Sequence, residues 1–463
     1  MANDRAKFLQ GSLMRHIAVM SLTSSVGLMA VFLVDLVDMV FISMLGRDEL
    51  AAAVGYSGAV LFFTTSFGIG MAIAAGALVA RALGSGDAAL ARQRATTSLI
   101  YAIVFGAIFA GIVWWNIPAL AALMGATGAT LELATGYLQI IIPSLPLLML
   151  GMVGGAILRA HGDARRSMMA TLYGGGVNAV LDPILIFALS LDLTGAALAT
   201  VAARVTIALA SLVPLIRHHG GLERPGARAF AVDFPGLAAI AAPAILTQLA
   251  TPVGQAYVTR AMAQFGEDAV AGMAIIGRVM PVAFAVIFAL SGAIGPVLGQ
   301  NFGAGRLKRV LVGFREGIVF TGAVVLLVSG VLFLVRAPLA DLFGAAGLAR
   351  ELVYLFCGPL ALLFFFNGIL FVANAAFNNL GHPFYSTWLN WGRHTLGTIP
   401  FVIVGAALWG AKGVLIGQAV GGVVFGVLAV VLALRVILRG GRTHRHEPYA
   451  RQARLFAMFT LKR

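Results

Sequence analysis

Three acidic residues stand inside long apolar stretches of this sequence, namely Asp35, Asp38 and Asp182. A charged side chain at the centre of a lipid bilayer costs roughly 3 kcal/mol on insertion scales, and acids kept there commonly belong to proton or ion pathways. We therefore interpret these three carboxyl groups as candidates for binding a proton or a small cation. The alternative is a structural acid that pairs with a buried arginine, for which Arg204 is the nearest candidate.

The spacing of these residues supports an ion site. Residues three or four positions apart share a helix face, which groups Asp35 with Asp38 and Asn178 with Asp182. Two carboxyl groups at such a distance do not ionise together readily and titrate as a pair. Pro183 lacks an N–H group and leaves a carbonyl one turn earlier without its helical partner. Broken helices with free carbonyls and a carboxylate form cation sites in transporters.

The composition indicates that these acids lie in a membrane. Of the 463 residues, 60% are apolar and 11% are charged, whereas a soluble domain has about 45–50% apolar and about 25% charged residues. Mean hydropathy is +0.95. These values exclude a soluble globular protein and a disordered chain. The apolar runs are continuous, which excludes a β-barrel with alternating strands. An all-α polytopic membrane protein remains.

Twelve segments are long and apolar enough to cross a membrane, since a spanning helix needs about 20 mostly apolar residues. They lie near residues 16–45, 54–80, 95–117, 133–158, 167–190, 195–216, 237–264, 270–298, 310–335, 351–378, 385–409 and 412–438. The single cysteine, Cys357, cannot form an internal disulfide.

The basic residues predict the orientation. Of the 32 lysines and arginines, 24 lie in the N-terminal tail, the even-numbered loops or the C-terminal tail, and only Arg47, Arg336, Arg350 and Lys412 lie in the odd-numbered loops. Because cytoplasmic loops carry the excess of basic residues, we expect a multi-pass protein of the inner (plasma) membrane with both termini cytoplasmic. The net charge of +14 is then loop charge facing anionic lipid, not a nucleic-acid-binding surface.

The two halves of the chain repeat each other at an offset near 219 residues. Segments 45–51, 84–87, 162–163 and 195–198 resemble segments 265–271, 303–306, 381–382 and 413–416. Each half has six spans, so both have the same orientation, as in transporters with parallel repeats. We predict two six-helix bundles related by a pseudo-two-fold along the membrane normal. Their predicted bounds are 1–217 and 237–440, with a flexible cytoplasmic linker at 218–236 and a basic cytoplasmic tail at 441–463.

The second half differs in its charged residues. We expect no acid inside its spans, where Arg260, Arg278 and Arg393 stand instead. We interpret Arg260 and Arg278 as side chains that snorkel to the interface or bond to carbonyl groups. Polar side chains that can line a substrate cavity are present in both halves: Tyr137, Gln139, Gln248, Gln255, Tyr257 and Arg278.

Three segments resemble those of a known family. The stretch 38–46 followed by 48–52 is similar to span 1 and its exit in the MATE (multidrug and toxic compound extrusion) transporters. Residues 299–305, before a basic stretch, resemble the loop after span 8 of that family. The segment 178–183 resembles the span 5 motif of its DinF-like branch. The NorM-like branch has acids in spans 7 and 10, where this sequence has Gln255 and no Asp or Glu. The resemblance extends over nearly the whole chain.

The resemblance implies an efflux antiporter that exports cationic or amphipathic small molecules by alternating access, driven by H⁺ or Na⁺. By position, the ion-coupling site comprises Asp38, Asn178, Asp182 and Thr200. Asp35 is an additional acid, so the carboxyl group that carries the ion stays open. We favour H⁺, with Na⁺ possible at the same four residues. The resemblance implies no other cofactor or metal, no nucleic-acid partner and a functional monomer that acts on a small-molecule substrate in the lipid bilayer.

Two alternatives belong to other classes. A flippase for a lipid-linked saccharide requires a basic cavity for pyrophosphate, and Arg260, Arg278 and Arg393 keep this function open. A membrane receptor or scaffold without transport is disfavoured by the repeat and the intramembrane acids. An enzyme is not expected, because the sequence has no nucleophile–base constellation and no metal-ligand spacing.

Overall fold

Helices form nearly all of the chain that the computed structural model describes, residues 6–223 and 225–440, and no strand occurs in these ranges. The first eight α-helices are α1 (Leu13–Met44), α2 (Asp48–Gly84), α3 (Ala88–Trp115), α4 (Ile117–Leu123), α5 (Gly128–Ile141), α6 (Leu145–Ala160), α7 (Ala164–Pro183) and α8 (Asp192–His218). The other eight are α9 (Ala227–Ala263), α10 (Glu267–Ala283), α11 (Ala285–Gly303), α12 (Leu307–Leu342), α13 (Gly347–Leu355), α14 (Ala361–Asn379), α15 (Pro383–His394) and α16 (Ile399–Gly440).

Four short segments connect or continue these helices. Lys7–Leu9 and Ile142–Ser144 are 3₁₀ turns, whereas Ile184–Ala188 and Phe356–Leu360 are π-helical. The all-α polytopic class is thereby confirmed. The predicted tail at 441–463 lies outside the described residues.

Eleven helical segments in the described ranges are long and apolar enough to cross a membrane, and one of them, Pro383–Gly440, has 58 residues. Its backbone leaves the helical conformation at Trp409 and Gly410, where Gly410 has φ of 60°. If the segment Pro383–Gly440 is divided at these two residues, the eleven helical segments become twelve, the number of spans that the sequence predicts. The predicted span at 270–298 is interrupted as well, because helix α10 ends at Ala283 and helix α11 begins at Ala285, after Phe284.

The two parts of α16 pack against each other as an antiparallel hairpin. A Cβ atom on Gly421 would overlap the carbonyl group of Gly397, and one on Gly413 would overlap that of Gly405. These pairs lie symmetrically about Trp409, which is the pattern of a chain that folds back on itself there. The close approach explains why spans 11 and 12 carry glycine at these positions, since any side chain would separate the helices.

The described helices belong to two compact units. One contains Val26–Ala241 with the residues up to Lys7, and the other contains Phe8–Ser25 with the chain from Ala242 onward. The predicted bundle bounds, 1–217 and 237–440, stay a prediction.

Helix α9 begins at Ala227, within the predicted linker at 218–236. The hydroxyl of Tyr101 donates to the carbonyl of Phe230 at 2.7 Å, and the hydroxyl of Thr97 donates to Asp233 at 2.9 Å. The second part of the predicted linker is therefore a helix that packs on α3.

Acids of the second half do lie inside spanning helices, among them Glu316. Glu316 is part of α12, and its Oε2 atom is buried without a hydrogen-bond partner among the described residues. The expectation of spans without acids in this half was wrong. Glu316 follows Arg315 near the start of an apolar stretch. Hydropathy alone locates the boundary of a span only to within a few residues, so it does not decide whether such a residue lies inside the span.

Candidate functional site

Helices α1 and α7 run side by side in the same direction, and their register sets the site. A Cβ atom on Gly27 would lie 3.5 Å from Met168, and one on Gly175 would lie 3.3 Å from Val34. Both pairs are separated by 141 residues along the chain, and a constant separation requires parallel helices. The same register brings Asp38 of α1 opposite Asn178 of α7, 140 residues away.

Asp38, Asn178 and Asp182 form one hydrogen-bonded cluster. The Nδ2 atom of Asn178 donates to Oδ2 of Asp182 at 2.6 Å and lies 3.1 Å and 3.3 Å from Oδ1 and Oδ2 of Asp38. Asn178 and Asp182 are buried, and Asp38 is half-buried. The two carboxyl groups therefore face the same amide nitrogen. A proton or a cation between them stabilises this arrangement, because two bare carboxylates held so close repel each other.

Asp182 retains one free acceptor in this cluster. Its Oδ1 atom is buried and receives no hydrogen bond from the residues that the structure describes. An unsatisfied buried carboxylate oxygen is costly. A proton shared with Asp38, or a small cation bound by the two carboxyl groups, would satisfy it.

Asp35 lies one turn before Asp38 but takes no part in the cluster. Its side chain is exposed and forms no hydrogen bond or ion pair with the described residues. The sequence leaves open which carboxyl group of span 1 carries the ion. The structure places Asp38 in the hydrogen-bonded cluster and Asp35 outside it.

A second, buried group of side chains contains Tyr137. Tyr137 packs in one buried cluster with Ile42, Ile186 and Ala196, which lie one turn from Asp38, Asp182 and Thr200 respectively. The Thr200 hydroxyl donates to the carbonyl of Ala196 at 3.0 Å. Tyr137 is a residue that we assigned to a substrate cavity from the sequence. Helix facing decided this placement, and no local sequence signal indicates it.

Arg204 does not pair with the intramembrane acids. Its Nη1 atom donates to the Ser144 hydroxyl at 3.0 Å and to the Ile141 carbonyl at 3.2 Å. No carboxylate lies within 4.0 Å of it in the described chain. The interpretation of the acids as structural partners of Arg204 is therefore not supported.

The chain after Asp182 departs from the α-helical form, as the position of Pro183 predicts. Residues Ile184–Ala188 form a π-helical turn in which Leu189 N donates to Ile184 O at 2.9 Å. Gly195 of α8 packs directly on this turn, because a Cβ atom there would lie 2.7 Å from the carbonyl carbon of Leu185. Single π turns of this kind are frequent at functional sites.

A cavity of about 340 Å³ in the first unit reaches Tyr137. Its wall includes Arg47, Glu49 and Glu132, and Arg47 lies 3.8 Å from Asp192 and 4.0 Å from Glu49. The cavity thus connects a charged rim at the end of α1 with the tyrosine of the buried cluster. It is large enough for several water molecules.

The other candidate substrate residues are not brought together. Gln139 is exposed, and its backbone carbonyl accepts a hydrogen bond from Trp114. Arg278 is exposed, whereas Gln248, Gln255 and Tyr257 are partly buried in the second unit. No hydrogen bond joins any two of the six candidates within 6–223 and 225–440.

Asn178 directs its amide nitrogen at both acids, so the ligands that the cluster offers are carboxylate oxygens. Carboxylate oxygens suit hard cations or a proton rather than a transition metal. In the described chain, no group of three His, Cys, Asp or Glu side chains is arranged for a metal ion.

Comparisons with known proteins cover the same segments. The MatE family model matches residues 24–184 and again 243–404. The second match begins 219 residues after the first, which confirms the repeat that the sequence predicts. The site residues Asp38, Asn178 and Asp182 lie in the first match, and Arg393 lies in the second.

Two curated relatives match most of the chain. A protein of Shewanella oneidensis named FAD transporter is 29% identical over 447 residues, which cover 94% of this chain and 97% of that protein. The multidrug export protein MepA of Staphylococcus aureus is 24% identical over 403 residues, which cover 85% and 88% of the two chains.

Solved structures share the fold. A crystal structure of a MATE protein in complex with MaL6 superposes with a TM-score of 0.88 at 24% identity and covers 95% of this chain and 99% of that one. A mutant of the Vibrio cholerae MATE transporter VcmN has a TM-score of 0.87 at 23% identity and covers 94% and 98% of the two chains.

Proposed function

The chain belongs to the MatE family of membrane transporters, and on this premise we propose that it is a cation-coupled efflux antiporter for cationic or amphipathic small molecules. The observation that carries the proposal is the contact of Asp38 with Asn178 and Asp182 inside the first unit. This contact joins two spanning helices through groups whose charge changes when they bind or release a cation. The name of the relative MepA, a multidrug export protein, agrees with an export function.

In this mechanism the coupling cation controls the packing of α1 on α7. With a proton between Asp38 and Asp182, the carboxyl groups attract each other and hold the helices together. Without it, two negative charges face each other in a medium of low dielectric constant, where repulsion is strong. An ion drives transport only if it binds the two conformations of a protein with different affinities. A contact between two helices that one proton makes or breaks meets this requirement.

We propose H⁺ as the coupling ion. The approach of Asp38 and Asp182 to one amide nitrogen fits a shared proton, which needs no further ligand. Na⁺ stays an alternative at Asp38, Asn178, Asp182 and Thr200, since it prefers several oxygen ligands and these side chains carry carboxylate, amide and hydroxyl oxygens. Assignment to the DinF-like branch, action as a monomer, and cytoplasmic termini in the inner membrane belong to the same proposal.

The test is transport by the purified full-length protein in proteoliposomes. Export of a fluorescent cationic dye such as ethidium is measured with a pH gradient alone and with a Na⁺ gradient alone. We expect the pH gradient to drive the dye and the Na⁺ gradient at equal pH to leave the dye at its passive leak rate. Dye movement that ignores both gradients would contradict an antiporter, and movement driven by Na⁺ alone would assign the site to Na⁺.

The lipid-linked saccharide flippase is supported less well. Its basic cavity would draw on Arg260, Arg278 and Arg393, but the first two side chains are exposed. Only Arg393 lies partly enclosed within the second unit.

A further inference from the structure

Arg393 lies inside a spanning segment, and its guanidinium group has no protein partner among the described residues. It lies in α15, is partly buried, and donates no hydrogen bond to any residue in 6–223 or 225–440. No carboxylate lies within 4.0 Å of it in these ranges. A guanidinium carries five N–H donors and a permanent charge, and an intramembrane arginine commonly pairs or faces a water-filled pathway.

The neighbours of Arg393 leave its donors available. The Nε atom of Arg393 and the Oδ1 atom of Asn367 lie 3.8 Å and 3.6 Å from the point that a Cβ atom on Gly422 would occupy. Gly422 thus lets the backbone of α16 lie against both side chains. Asn367 is also partly exposed and forms no hydrogen bond with the described residues. A cationic donor group and an amide therefore face the same small region.

A row of polar side chains extends from this point between α14 and α15. Asn390 lies one turn before Arg393 on the same face, and its Nδ2 atom donates to Oδ1 of Asn374 at 3.2 Å. Asn374 and Asn367 share a face of α14, since seven residues make two turns. This hydrogen bond orients both amides. The row ends at Arg393, whose guanidinium group has no hydrogen-bond partner among the described residues.

Two further buried groups beside this row are unsatisfied. Both ring nitrogens of His394, which is 4% exposed, lack hydrogen-bond partners in the described chain. The Oε1 atom of Gln255 is likewise buried and unpartnered. His394 packs directly on Gly254, the residue before Gln255. Unpaired buried polar atoms are rare in native proteins and indicate a missing partner.

An aromatic ring packs on the residue before Arg393. Phe425 lies so close to Gly392 that a Cβ atom there would overlap its ring, and Phe366 packs against Gly426. The region therefore places one aromatic ring, that of Phe425, next to a residue with a cationic fork. This is the combination that binds a planar molecule bearing a carboxylate or a phosphate.

We propose that Arg393 and Asn367 form a subsite in the second unit for the anionic group, carboxylate or phosphate, of an aromatic amphipathic substrate. The inference rests on the proposed transport function and specifies its substrate class. The guanidinium pairs with two oxygens of the anion, the Asn367 amide donates to one of them, and the Asn374–Asn390 pair keeps the row rigid. The same chemistry is found in an anionic lipid headgroup, which the test separates from a soluble substrate.

The test compares two dyes with the same xanthene ring system and opposite charge, fluorescein (anionic) and rhodamine 6G (cationic). Binding to the full-length protein in phosphatidylcholine nanodiscs is measured by fluorescence anisotropy, without any ion gradient. Because a bidentate charged hydrogen bond is lost, Arg393→Gln should weaken fluorescein binding about tenfold. Its rhodamine 6G affinity should stay within about twofold of the wild-type value.

Three further variants separate charge from packing. Arg393→Lys keeps the charge but not the fork and should weaken fluorescein binding about threefold. Asn367→Asp places a carboxylate beside the guanidinium, so it should weaken fluorescein and strengthen rhodamine 6G binding. Arg260→Gln removes an exposed arginine of the same unit and should change neither affinity.

The proposal is overturned if the wild type and Arg393→Gln bind fluorescein with equal affinity. It is also overturned if Arg393→Gln and Asn367→Asp both lose affinity for fluorescein and rhodamine 6G to the same extent. A separate experiment tests whether an anionic lipid headgroup occupies the subsite: phosphatidylglycerol replaces part of the phosphatidylcholine in the nanodiscs. If this lipid alone lowers the wild-type fluorescein affinity to that of Arg393→Gln, the subsite holds a lipid headgroup and the substrate assignment fails. Because no gradient is present, these outcomes do not depend on cation coupling.

Discussion

The side-chain amide of Asn178 lies between two carboxyl groups from different helices, 2.6 Å from Asp182 and 3.1 Å from Asp38. An amide nitrogen carries two hydrogens, and here each one has an acceptor. Asn178 therefore holds the acids of α1 and α7 in one cluster and leaves them facing each other. The predictions below test what depends on this arrangement.

The first prediction separates the two acids of span 1. Asp38→Asn should reduce gradient-driven export about tenfold or more, because the amide keeps the size of the side chain but removes the group that binds the cation. Asp35→Asn is the matched control, since Asp35 is exposed and outside the cluster, and should retain export within about threefold. The measurement is dye transport in proteoliposomes under a pH gradient. Wild-type export by the Asp38 variant would remove the basis of the proposed coupling.

The second prediction concerns Tyr137. Tyr137→Phe removes the one polar group that this side chain brings to the buried cluster with Ile42 and Ile186 while keeping the ring. A single hydrogen bond contributes about 1 kcal/mol, so the apparent affinity for the coupling cation should fall about fivefold. It is read from the pH at half-maximal transport. Tyr173→Phe, at an exposed position of α7, should leave that pH unchanged. Identical shifts in both variants would argue against a role of the Tyr137 hydroxyl.

The third prediction uses two glycines of α7. Alanine normally favours a helix interior over glycine by about 1 kcal/mol, and Gly176 has open space where a Cβ atom would lie. Gly174→Ala would instead overlap the side chain of Ile207 and approach the carbonyl of Ala203 to 3.2 Å. We expect a lower melting temperature in detergent for Gly174→Ala and no loss for Gly176→Ala. Adding Ile207→Ala to the first variant should restore part of the loss.

A polar cluster outside the membrane spans predicts a free energy of unfolding that depends on pH. The ring centroids of His161 and His219 lie 4.6 Å apart with the planes tilted by 31°, and His219 Nε2 lies 3.0 Å from Asp163 Oδ2. Burial, together with the neighbouring His219, lowers the pKa of His161 to about 3. Hydrogen bonds from His219 and Arg166 lower the pKa of Asp163 despite its burial. Lys7 donates to the carbonyl of Gly162 in the same loop.

The fourth prediction follows from the lowered pKa of His161. Folded His161 binds a proton less readily than His161 in the unfolded chain does. The stability that depends on neutral His161 is therefore complete above pH 6.5, the ordinary pKa of histidine, and is lost as the pH falls toward 3. Between pH 7 and pH 5 the free energy of unfolding should decrease by about 2 kcal/mol. His161→Phe should reduce this decrease, and His218→Phe, at an exposed position, should not. Melting curves in detergent at several pH values provide the measurement.

Local patterns were sufficient to predict the class and much of the site. Continuous apolar runs predict spanning helices, and the repeat is visible in loop segments such as 45–51 and 265–271. The contact of Asn178 with Asp182 follows from their four-residue spacing, because one helical turn separates them. Pro183 predicts the departure from the α-helix that occurs at Ile184–Ala188.

Tertiary packing decided what local spacing leaves open. Whether Asp35 or Asp38 meets α7 depends on the rotation of α1, which the contacts of Gly27 and Gly175 determine. Those contacts join residues that are 141 positions apart, so no window of the sequence contains them. For the same reason the sequence does not reveal that Tyr137 packs with Ile42 and Ile186 or that the guanidinium group of Arg393 has no partner in the described part of the chain. Amino-acid type and spacing determine which groups one helix presents, whereas the packing of several helices decides which of those groups meet.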